Sequence, residues 1–341
     1  MSSHRIIYLE VLRIIATIAV LVNHIPLVAI HLYDDSVGDN GKFIINGIVH
    51  IVHFAVPVFV MITGALLLDK DRPISWRKAW NYTWRMIVIL GTVGVVFAWM
   101  EIFFEERHFN LLQIPYAIIN TLQGKTWTHL WYLYMLVGLY LLLPMLKATV
   151  NTLAQKQLDI LIVILFLFAF VNPMLRHFAD INIGIRFPLI SEYVAYMLMG
   201  YRFSQVKGYP NLWFVIGIVI ALYCMVAWLE YIKGHISLTV LAAYNSPLMA
   251  IYSVFIFLAT KKIVEDNNVL ALNNGWMAFS RDSFGIYVFH MLYVNSIYKV
   301  LKVNPFEDGF WTFIPILIVV TMLSWVSTII FRKLPLIGKY I

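Results

Sequence analysis

Long apolar segments separated by short polar ones dominate the chain from end to end. Each apolar run holds roughly 20 residues, enough for an α-helix to cross a hydrocarbon core of about 30 Å, and none alternates with the period of two that a transmembrane β-barrel requires. The predicted fold class is therefore all-α, a polytopic membrane helix bundle. The pattern predicts ten transmembrane helices, at about 6–28, 43–68, 80–104, 129–148, 157–175, 186–204, 211–232, 241–262, 279–302 and 310–332.

The composition agrees with a membrane protein. Of the 341 residues, 61% are hydrophobic and 13% are charged, and the mean hydropathy is +0.80, which is far more apolar than a soluble domain of this size. Because the loops are short, we expect a single transmembrane domain over residues 1–341 with no soluble accessory domain. The stretch Leu111 to Leu122 is too short for an eleventh span, and we expect it to lie at the surface or to re-enter the membrane.

The net charge of +7 is explained by membrane topology. Lys and Arg residues concentrate in alternate connections, beginning with the stretch from Lys70 to Lys78, whereas the connections on the other side are richer in Asp and Glu. By the positive-inside rule both termini are cytoplasmic, which requires an even number of spans. We therefore expect a multi-pass protein of the lipid bilayer with no nucleic-acid partner.

Two ionisable residues, Arg13 and His24, interrupt the first apolar run eleven positions apart. Eleven residues make close to three helical turns, so both side chains lie on nearly the same face, roughly 16 Å apart along the axis. An ionisable group at membrane depth costs roughly 2.5 to 3.5 kcal/mol. The pair therefore indicates either a function or two side chains that snorkel to opposite interfaces. The topology places Arg13 in the cytoplasmic half and His24 in the outer half.

The cytoplasmic half has the composition of an anion site. Arg85 on the third span lies near the predicted depth of Arg13, with Arg77 and Lys78 at the mouth. Guanidinium groups bind phosphate through charge-assisted hydrogen bonds, so these four residues could hold a phosphate-bearing ligand. The alternative is that both arginines snorkel to the headgroups.

The outer half collects polar residues around His24, namely His50, His53, His129 and Glu192. A histidine of near-neutral pKa that a second polar group orients is suited to remove a proton from a hydroxyl. His24 is therefore the candidate general base, and Glu192 is its candidate orienting group. A metal held by His50 and His53 together with His24 or Glu192 is the alternative, but the spacing is weak evidence and we predict no metal site.

Other features of the sequence narrow the chemistry. His290, at mid-depth in the ninth span, either lines the cavity or bonds to a neighbouring helix. The one cysteine, Cys224, has apolar neighbours and is interpreted as a small buried hydrophobe. The sequence contains no glycine-rich phosphate loop, no G-x-S-x-G elbow and no C-x-x-C pair. The chemistry indicated is proton transfer beside an anion site.

Four stretches resemble the bacterial acyltransferase-3 membrane proteins, and they occur in the same order. Arg13 and His24 match the signature R-x(10)-H of that family. Residues 56–64 (VPVFVMITG), 129–134 (HLWYLY) and 283–290 (SFGIYVFH) match three further segments, with Thr63 where the family usually has Ser. Arg85 matches the second arginine of the R-x-x-R pattern that often opens helix 3, and Tyr82 stands at the first.

Within that family the chain most resembles the compact bacterial sugar O-acetyltransferases, such as those that act on enterobacterial common antigen. The resemblance implies a ten-helix protein of the bacterial cytoplasmic (inner) membrane. It implies acetyl-CoA as the donor co-substrate, with no tightly bound cofactor, and a hydroxyl of a cell-envelope glycan or lipid-linked sugar as the acceptor. It also implies that Arg13 and His24 are essential, with His24 as the base. Direct transfer and an acyl-histidine intermediate are both compatible with that role.

The acceptor is expected to contact aromatic and histidine residues, namely His53, His129, Trp131, Tyr132, Tyr287 and His290. The alternative function is a transporter or exporter of an envelope glycan or small anion, with Arg13, Arg85 and Glu192 along its path. The sequence shows no internal repeat of the kind that many transporters contain, which argues against this alternative. A sensor or an assembly scaffold is a third possibility.

Overall fold

The computed structural model describes residues 6–106, 108, 110–181, 191–207, 211, 216–217, 220–221, 243–267, 269, 271–335 and 337–341. These residues form helices joined by turns and loops, and none of them lies in a β-strand. The predicted all-α class is confirmed for this part of the chain. Cys224 and most of the predicted span 211–232 lie outside the described residues.

The helices are long and several are continued through short π or 3₁₀ turns. The described α-helices are α1 Ile7–Leu32, α2 Asp39–Val52, α3 Ala55–Leu67, α4 Trp76–Ile89, α5 Val95–Glu106, α6 Ile114–Leu122, α7 Trp131–Thr152, α8 Gln155–Phe166, α9 Asn172–Ala179, α10 Glu192–Ser204, α11 Pro247–Asp266, α12 Asn274–Asn295 and α13 Phe313–Phe331. A π turn at Leu90–Gly94 joins α4 to α5, another at Leu167–Val171 joins α8 to α9, and a third at Ser296–Val300 extends α12.

Seven of the described helical segments are long and apolar enough to cross a membrane. They are Ile7–Leu32, Asp39–Leu67, Trp76–Glu106, Thr128–Thr152, Gln155–Ala179, Pro247–Asp266 and Phe310–Phe331, and each matches one of the ten predicted spans. A multi-pass helical membrane protein is thus confirmed, while the count of ten and the cytoplasmic position of the termini stay predictions. Polar residues such as Arg281 and Asp282 keep α12 outside this set, although it matches the predicted ninth span in position. The Leu111–Leu122 segment is a shorter apolar helix, and its place at the surface or re-entering the membrane stays a prediction.

The chain divides into two compact units. Unit 1 contains residues Met1–Val20, Asn46–Pro73 and Met145–Ser280. Unit 2 contains residues Leu21–Ile45, Ile74–Pro144 and Arg281–Ile341. Four of the five divisions fall inside α1, α2, α7 and α12, so each of these helices contributes residues to both units, and the fifth falls between Pro73 and Ile74.

Unit 1 contains a close contact between α3 and α10, where two glycines face the opposite backbone. A Cβ atom on Gly64 would overlap the main-chain oxygen of Met197, and a Cβ atom on Gly200 would overlap that of Met61. Small residues allow membrane helices to approach closely enough for extensive van der Waals packing. These glycines therefore determine how α3 and α10 fit together.

Two lysines with little exposure bind the C-terminal ends of helices in unit 1. The Nζ of Lys147 donates to the main-chain oxygens of Leu68, at 3.1 Å, and Asp69. The Nζ of Lys261 donates to those of Ser204, at 2.7 Å, and Val206, at 2.6 Å. Because the last carbonyls of a helix lack partners and carry partial negative charge, a cation at this position is stabilising.

Unit 2 contains an apolar contact between α5 and α6, in which Ala98, Ile102 and Ala117 are buried. The small alanines let α6 pack across α5 just before the chain enters the turn Thr128–Leu130. That turn begins the part of unit 2 in which three histidines meet.

Candidate functional site

Three of the histidines that the sequence analysis singled out come together in unit 2. His24 is carried by α1, His129 by the 3₁₀ turn before α7, and His290 by α12. The ring centroids lie 5.0 Å apart for His24 and His290, 5.1 Å for His129 and His290, and 6.4 Å for His24 and His129. His129 is 1% exposed and His290 is 0% exposed, whereas His24 is half-buried. His24 is therefore the member of the cluster that a ligand can reach most directly.

The hydrogen bonds of His290 determine its tautomer. Its Nδ1 lies 2.6 Å from the main-chain oxygen of Tyr287, and because a carbonyl oxygen can only accept, Nδ1 carries the proton. The Nε2 of the neutral ring is then an acceptor, and it lies 3.1 Å from the Nδ1 of His24. The Nδ1 of His24 must donate to it, so the lone pair of neutral His24 is on Nε2.

This arrangement is suited to general-base catalysis. A histidine whose Nδ1–H is held by an acceptor has a fixed ring orientation and presents the basic Nε2 to a reacting group. The position beside Nδ1, for which Glu192 was the candidate, is occupied by His290. Its complete burial keeps it in one orientation, so it can hold the ring of His24 without placing a negative charge beside it.

His129 adds an unsatisfied polar atom to the cluster. Its Nε2 lies 3.3 Å from the main-chain oxygen of Val288 and therefore carries the proton, which leaves Nδ1 as an acceptor. That Nδ1 is buried and has no hydrogen-bond partner among the described residues, and the same is true of the Oδ1 of Asn23, next to His24 in α1. A buried acceptor without a partner costs about 1–3 kcal/mol. A hydroxyl group of a bound ligand would remove that cost.

Aromatic side chains pack around the histidines. The ring of Tyr287 lies 5.6 Å from that of His129 and 5.9 Å from that of His290, and its hydroxyl donates to the main-chain oxygen of His129. Tyr132 packs edge-on against Tyr287 at 5.5 Å, and Trp131 packs against Tyr132 at 6.3 Å. The structure thus brings five of the six residues expected to contact the acceptor into one part of unit 2.

An ion pair that was not predicted from the sequence lies beside this cluster. Glu101 of α5 accepts hydrogen bonds from Lys299, at 2.6 and 2.8 Å, and from the Nε1 of Trp127, at 2.8 Å. The ring of Trp127 lies 6.4 Å from that of His129, so one indole connects the carboxylate to the histidines. A carboxylate inside a predicted apolar span is itself a signal of function. Because hydropathy is averaged over the whole span, one charged residue such as Glu101 changes the average little and is overlooked.

Arg13 lies on the same helix as His24 but belongs to unit 1. Its Nη1 donates to the Oε2 of Glu10, one turn earlier, at 2.9 Å. The same oxygen accepts from the Oγ of Ser280 at 2.5 Å. Glu10, which the sequence analysis did not single out, is 8% exposed and orients the guanidinium. The pairing reduces the net positive charge that Arg13 presents to an anion.

Arg85 belongs to unit 2, where it holds the last described residues of the chain. Its Nε donates to the main-chain oxygen of Tyr340 at 2.6 Å, and its Nη2 donates to that of Ile341 at 3.0 Å. The guanidinium carbon also lies 4.7 Å from the ring centre of Phe284. Arg77 and Lys78 lie in the first turn of α4. The guanidinium of Arg85, predicted to bind an anion, therefore contacts main-chain oxygens in this structure.

His50, His53 and Glu192 belong to unit 1. The ring of His53 stacks on that of Tyr244 with centroids 4.4 Å apart, and its Nδ1 is buried without a hydrogen-bond partner among the described residues. His50 is in the last turn of α2, and Glu192 is the first residue of α10. In the part of the chain that the structure describes, no three His, Cys, Asp or Glu side chains are placed to hold a metal ion.

A comparison with protein families shows which family the chain belongs to. The acyltransferase-3 family model, described as an acyltransferase domain, matches residues 6–330. The chain belongs to the acyltransferase-3 family. No curated protein and no solved structure matches the chain. The family resemblance that four short stretches indicated is thus confirmed, and the matched residues of this acyltransferase-3 protein contain the whole histidine cluster. Membership indicates acyltransferase activity in a multi-pass membrane protein.

Proposed function

We propose that the protein is a membrane O-acyltransferase that moves an acetyl group from cytoplasmic acetyl-CoA to a hydroxyl of a cell-envelope glycan or lipid-linked sugar. Family membership supports acyl transfer. The choice of acetyl-CoA, of a sugar acceptor and of the bacterial cytoplasmic membrane is supported by the stretches that resemble the compact sugar O-acetyltransferases. The transporter alternative gains no support from the family.

The observation that carries the mechanism is the 3.1 Å contact between the Nε2 of His290 and the Nδ1 of His24. It leaves the lone pair of His24 on Nε2, where it removes the proton from the acceptor hydroxyl. The oxygen attacks the acetyl carbonyl, the carbon–sulfur bond breaks, and the proton passes to the departing thiolate. The products are the O-acetyl sugar and CoA. An acyl-histidine route would use the same lone pair, first to attack the thioester and then to give up the acetyl group.

The remaining site residues form two groups, one that contacts the acyl donor and one that contacts the acceptor. Arg13, Arg77, Lys78 and Arg85 contact the phosphates of the donor through charge-assisted hydrogen bonds. The residues proposed to contact the acceptor are His53, His129, Trp131, Tyr132, Tyr287 and His290. The buried acceptor atom of His129 supports this division, because a sugar hydroxyl supplies the donor that the described residues do not.

The test uses the purified full chain in detergent with radiolabelled acetyl-CoA. Extracted envelope glycans and lipid-linked sugars serve as acceptors, and the release of CoA and the labelling of the glycan are both measured. We expect labelling with the native protein and none with His24→Ala. His31→Ala is the matched control, because His31 is exposed on the same helix. Absence of CoA binding and of CoA release with every acceptor would overturn the proposal.

A further inference from the structure

We propose that Glu101 and Lys299 form a subsite that binds hydroxyl groups of a neutral sugar in the acceptor. This inference rests on the proposed function, because it names the class of ligand that the acceptor side of that site recognises. It concerns two residues of unit 2 that lie outside the histidine cluster.

The hydrogen bonds of the pair leave capacity for a ligand. One oxygen of Glu101 accepts from Lys299, and the other accepts from both Lys299 and Trp127. A carboxylate offers about four acceptor positions, and an ammonium group has three protons. The side chains of Glu101 and Lys299 are 37% and 20% exposed. A ligand can therefore reach a carboxylate that still accepts and an ammonium that still donates.

Trp127 holds this pair at a fixed place relative to the histidines. The indole is 5% exposed and stacks on Phe97 with centroids 4.2 Å apart. One edge donates to Glu101, and the ring lies 6.4 Å from that of His129. The carboxylate is thus one aromatic ring away from the histidine cluster. A sugar that contacts the pair with one hydroxyl could present another to the histidines.

Residues close in sequence to each end of this link carry buried polar atoms that have no hydrogen-bond partner among the described residues. The hydroxyl of Tyr298, the residue before Lys299, is buried and has no hydrogen-bond partner among the described residues. On the other side, the same holds for the Nδ1 of His129, two residues after Trp127. Each such group is costly unless a partner binds. For the Nδ1 of His129, whose ring lies beside that of Trp127, a hydroxyl of a sugar held by the pair can supply that partner.

The pairing of opposite charges favours a neutral ligand. A sugar hydroxyl can donate to the carboxylate and accept from the ammonium, and both hydrogen bonds are charge-assisted. The carboxylate of a uronic acid would be repelled by the negative charge of Glu101, and an amine would be repelled by the positive charge of Lys299. An ion pair with this much exposure contributes little to stability. An ion pair within an apolar span therefore supports a role in binding.

The test measures binding of methyl glycosides to the purified full chain by saturation-transfer NMR. The probes are the methyl glycosides of neutral hexoses, of an N-acetylhexosamine and of a hexuronic acid. The variants are Glu101→Gln, Lys299→Gln and the charge-swapped double variant E101K/K299E. The matched control is D34N/K42Q, which removes a 2.6 Å ion pair from another part of unit 2.

We expect the native protein to bind neutral glycosides and to discriminate against the hexuronic acid. Each single variant should weaken glycoside binding about 10-fold or more, the loss expected for a hydrogen bond to a charged group, and should bind acetyl-CoA as the native protein does. The charge swap should restore thermal stability without restoring glycoside binding. The control should bind as the native protein does.

Three results would overturn the subsite. These are failure of neutral glycosides to bind the native protein, equal binding of the hexuronic acid, and recovery of binding in the charge-swapped variant, which would assign the pair to structure alone. Acetyl transfer is measured on the same samples. Transfer without glycoside binding overturns only the subsite, and glycoside binding without transfer from acetyl-CoA overturns only the proposed function.

Discussion

The Nε2 of His290 accepts a hydrogen bond from the Nδ1 of His24 across 3.1 Å, and its own Nδ1 is fixed by the main-chain oxygen of Tyr287 at 2.6 Å. One buried histidine thereby sets the tautomer of another. The role that a carboxylate has in many catalytic histidine pairs is here filled by a neutral ring. This relationship gives distinct expectations for the two histidines.

Replacement of His24 by Ala should abolish transfer while leaving acetyl-CoA binding nearly unchanged. The substitution removes the basic Nε2, and general-base catalysis contributes about 10²- to 10⁴-fold to a rate. Steady-state rates and equilibrium binding of CoA, measured on the same preparation, separate the two effects. If His24→Ala lost CoA affinity by the same factor as it lost transfer rate, the division between the base and the residues that contact the donor would be contradicted.

Replacement of His290 should lower kcat without changing the KM for acetyl-CoA. His290→Leu removes the acceptor of the Nδ1–H of His24, so the ring can rotate or adopt the other tautomer, and we expect a loss of roughly 10²-fold, within the range for a misplaced base. His290→Gln retains an amide oxygen that can accept that proton, and it should recover part of the rate. Equal rates for the two variants would show that His290 only fills space.

The sequence alone singles out His24, the proposed base, but not the residue that bonds to its ring. His24 stands out because an ionisable residue inside an apolar run has a high cost. The choice between Glu192 and His290 as the orienting group depends on which helices pack against α1, and helical periodicity carries no information about that. For His290 the sequence left open cavity lining or a bond to another helix, and the structure shows that it bonds to His24 of α1.

The ion pairs were also hidden from the sequence, for a different reason. Glu10 and Glu101 each lie in a long apolar run, where averaged hydropathy outweighs a single charge. Their partners are one turn away for Glu10 and almost two hundred positions away for Glu101. The seven helical segments that are long and apolar enough to cross a membrane, in contrast, could be predicted from the length and apolarity of each segment alone.

The pair of Glu10 and Arg13 should contribute to stability independently of donor binding. The side chains are 10% and 22% exposed, so replacing Glu10 by Gln leaves a largely buried cation without its charge partner and should lower the free energy of unfolding by about 1–3 kcal/mol. Thermal unfolding in detergent measures this, and the double variant E10Q/R13Q should recover part of the loss.

Measurements of CoA affinity distinguish the role of Arg13 from that of Glu10. Arg13→Ala should weaken CoA binding if the guanidinium contacts a phosphate, whereas Glu10→Gln keeps the positive charge and should leave CoA affinity equal or higher. Titration of CoA into each variant supplies the measurement. If Arg13→Ala and Glu10→Gln lowered CoA affinity by the same factor, Arg13 would act only through the packing of α1.

The contacts of Arg85 yield an expectation about residues 340–341. Because the guanidinium that is proposed to bind donor phosphates donates to the main-chain oxygens of Tyr340 and Ile341, the two uses compete. Deletion of these two residues should therefore raise CoA affinity severalfold, and Arg85→Ala should lower it. If the deletion and Arg85→Ala lower the affinity by the same factor, Arg85 is an anchor for the tail and not a donor contact.

The contact of α3 with α10 should fail when either glycine acquires a side chain. A Cβ atom on Gly64 or Gly200 would overlap a main-chain oxygen of the opposite helix, and backbone cannot yield as a flexible side chain can. We expect Gly64→Ala and Gly200→Ala to lower the free energy of unfolding by about 1–3 kcal/mol or more, as overpacked sites do. Gly138→Ala is the control, because among the described residues no atom beyond its chain neighbours and the nearby backbone of α7 lies within 4 Å of its Cβ position. Since alanine favours helices, that variant should be unchanged or more stable by about 0.5–1 kcal/mol. Thermal unfolding of the three variants in one detergent provides the comparison, and equal melting temperatures would show that α3 and α10 do not pack as described.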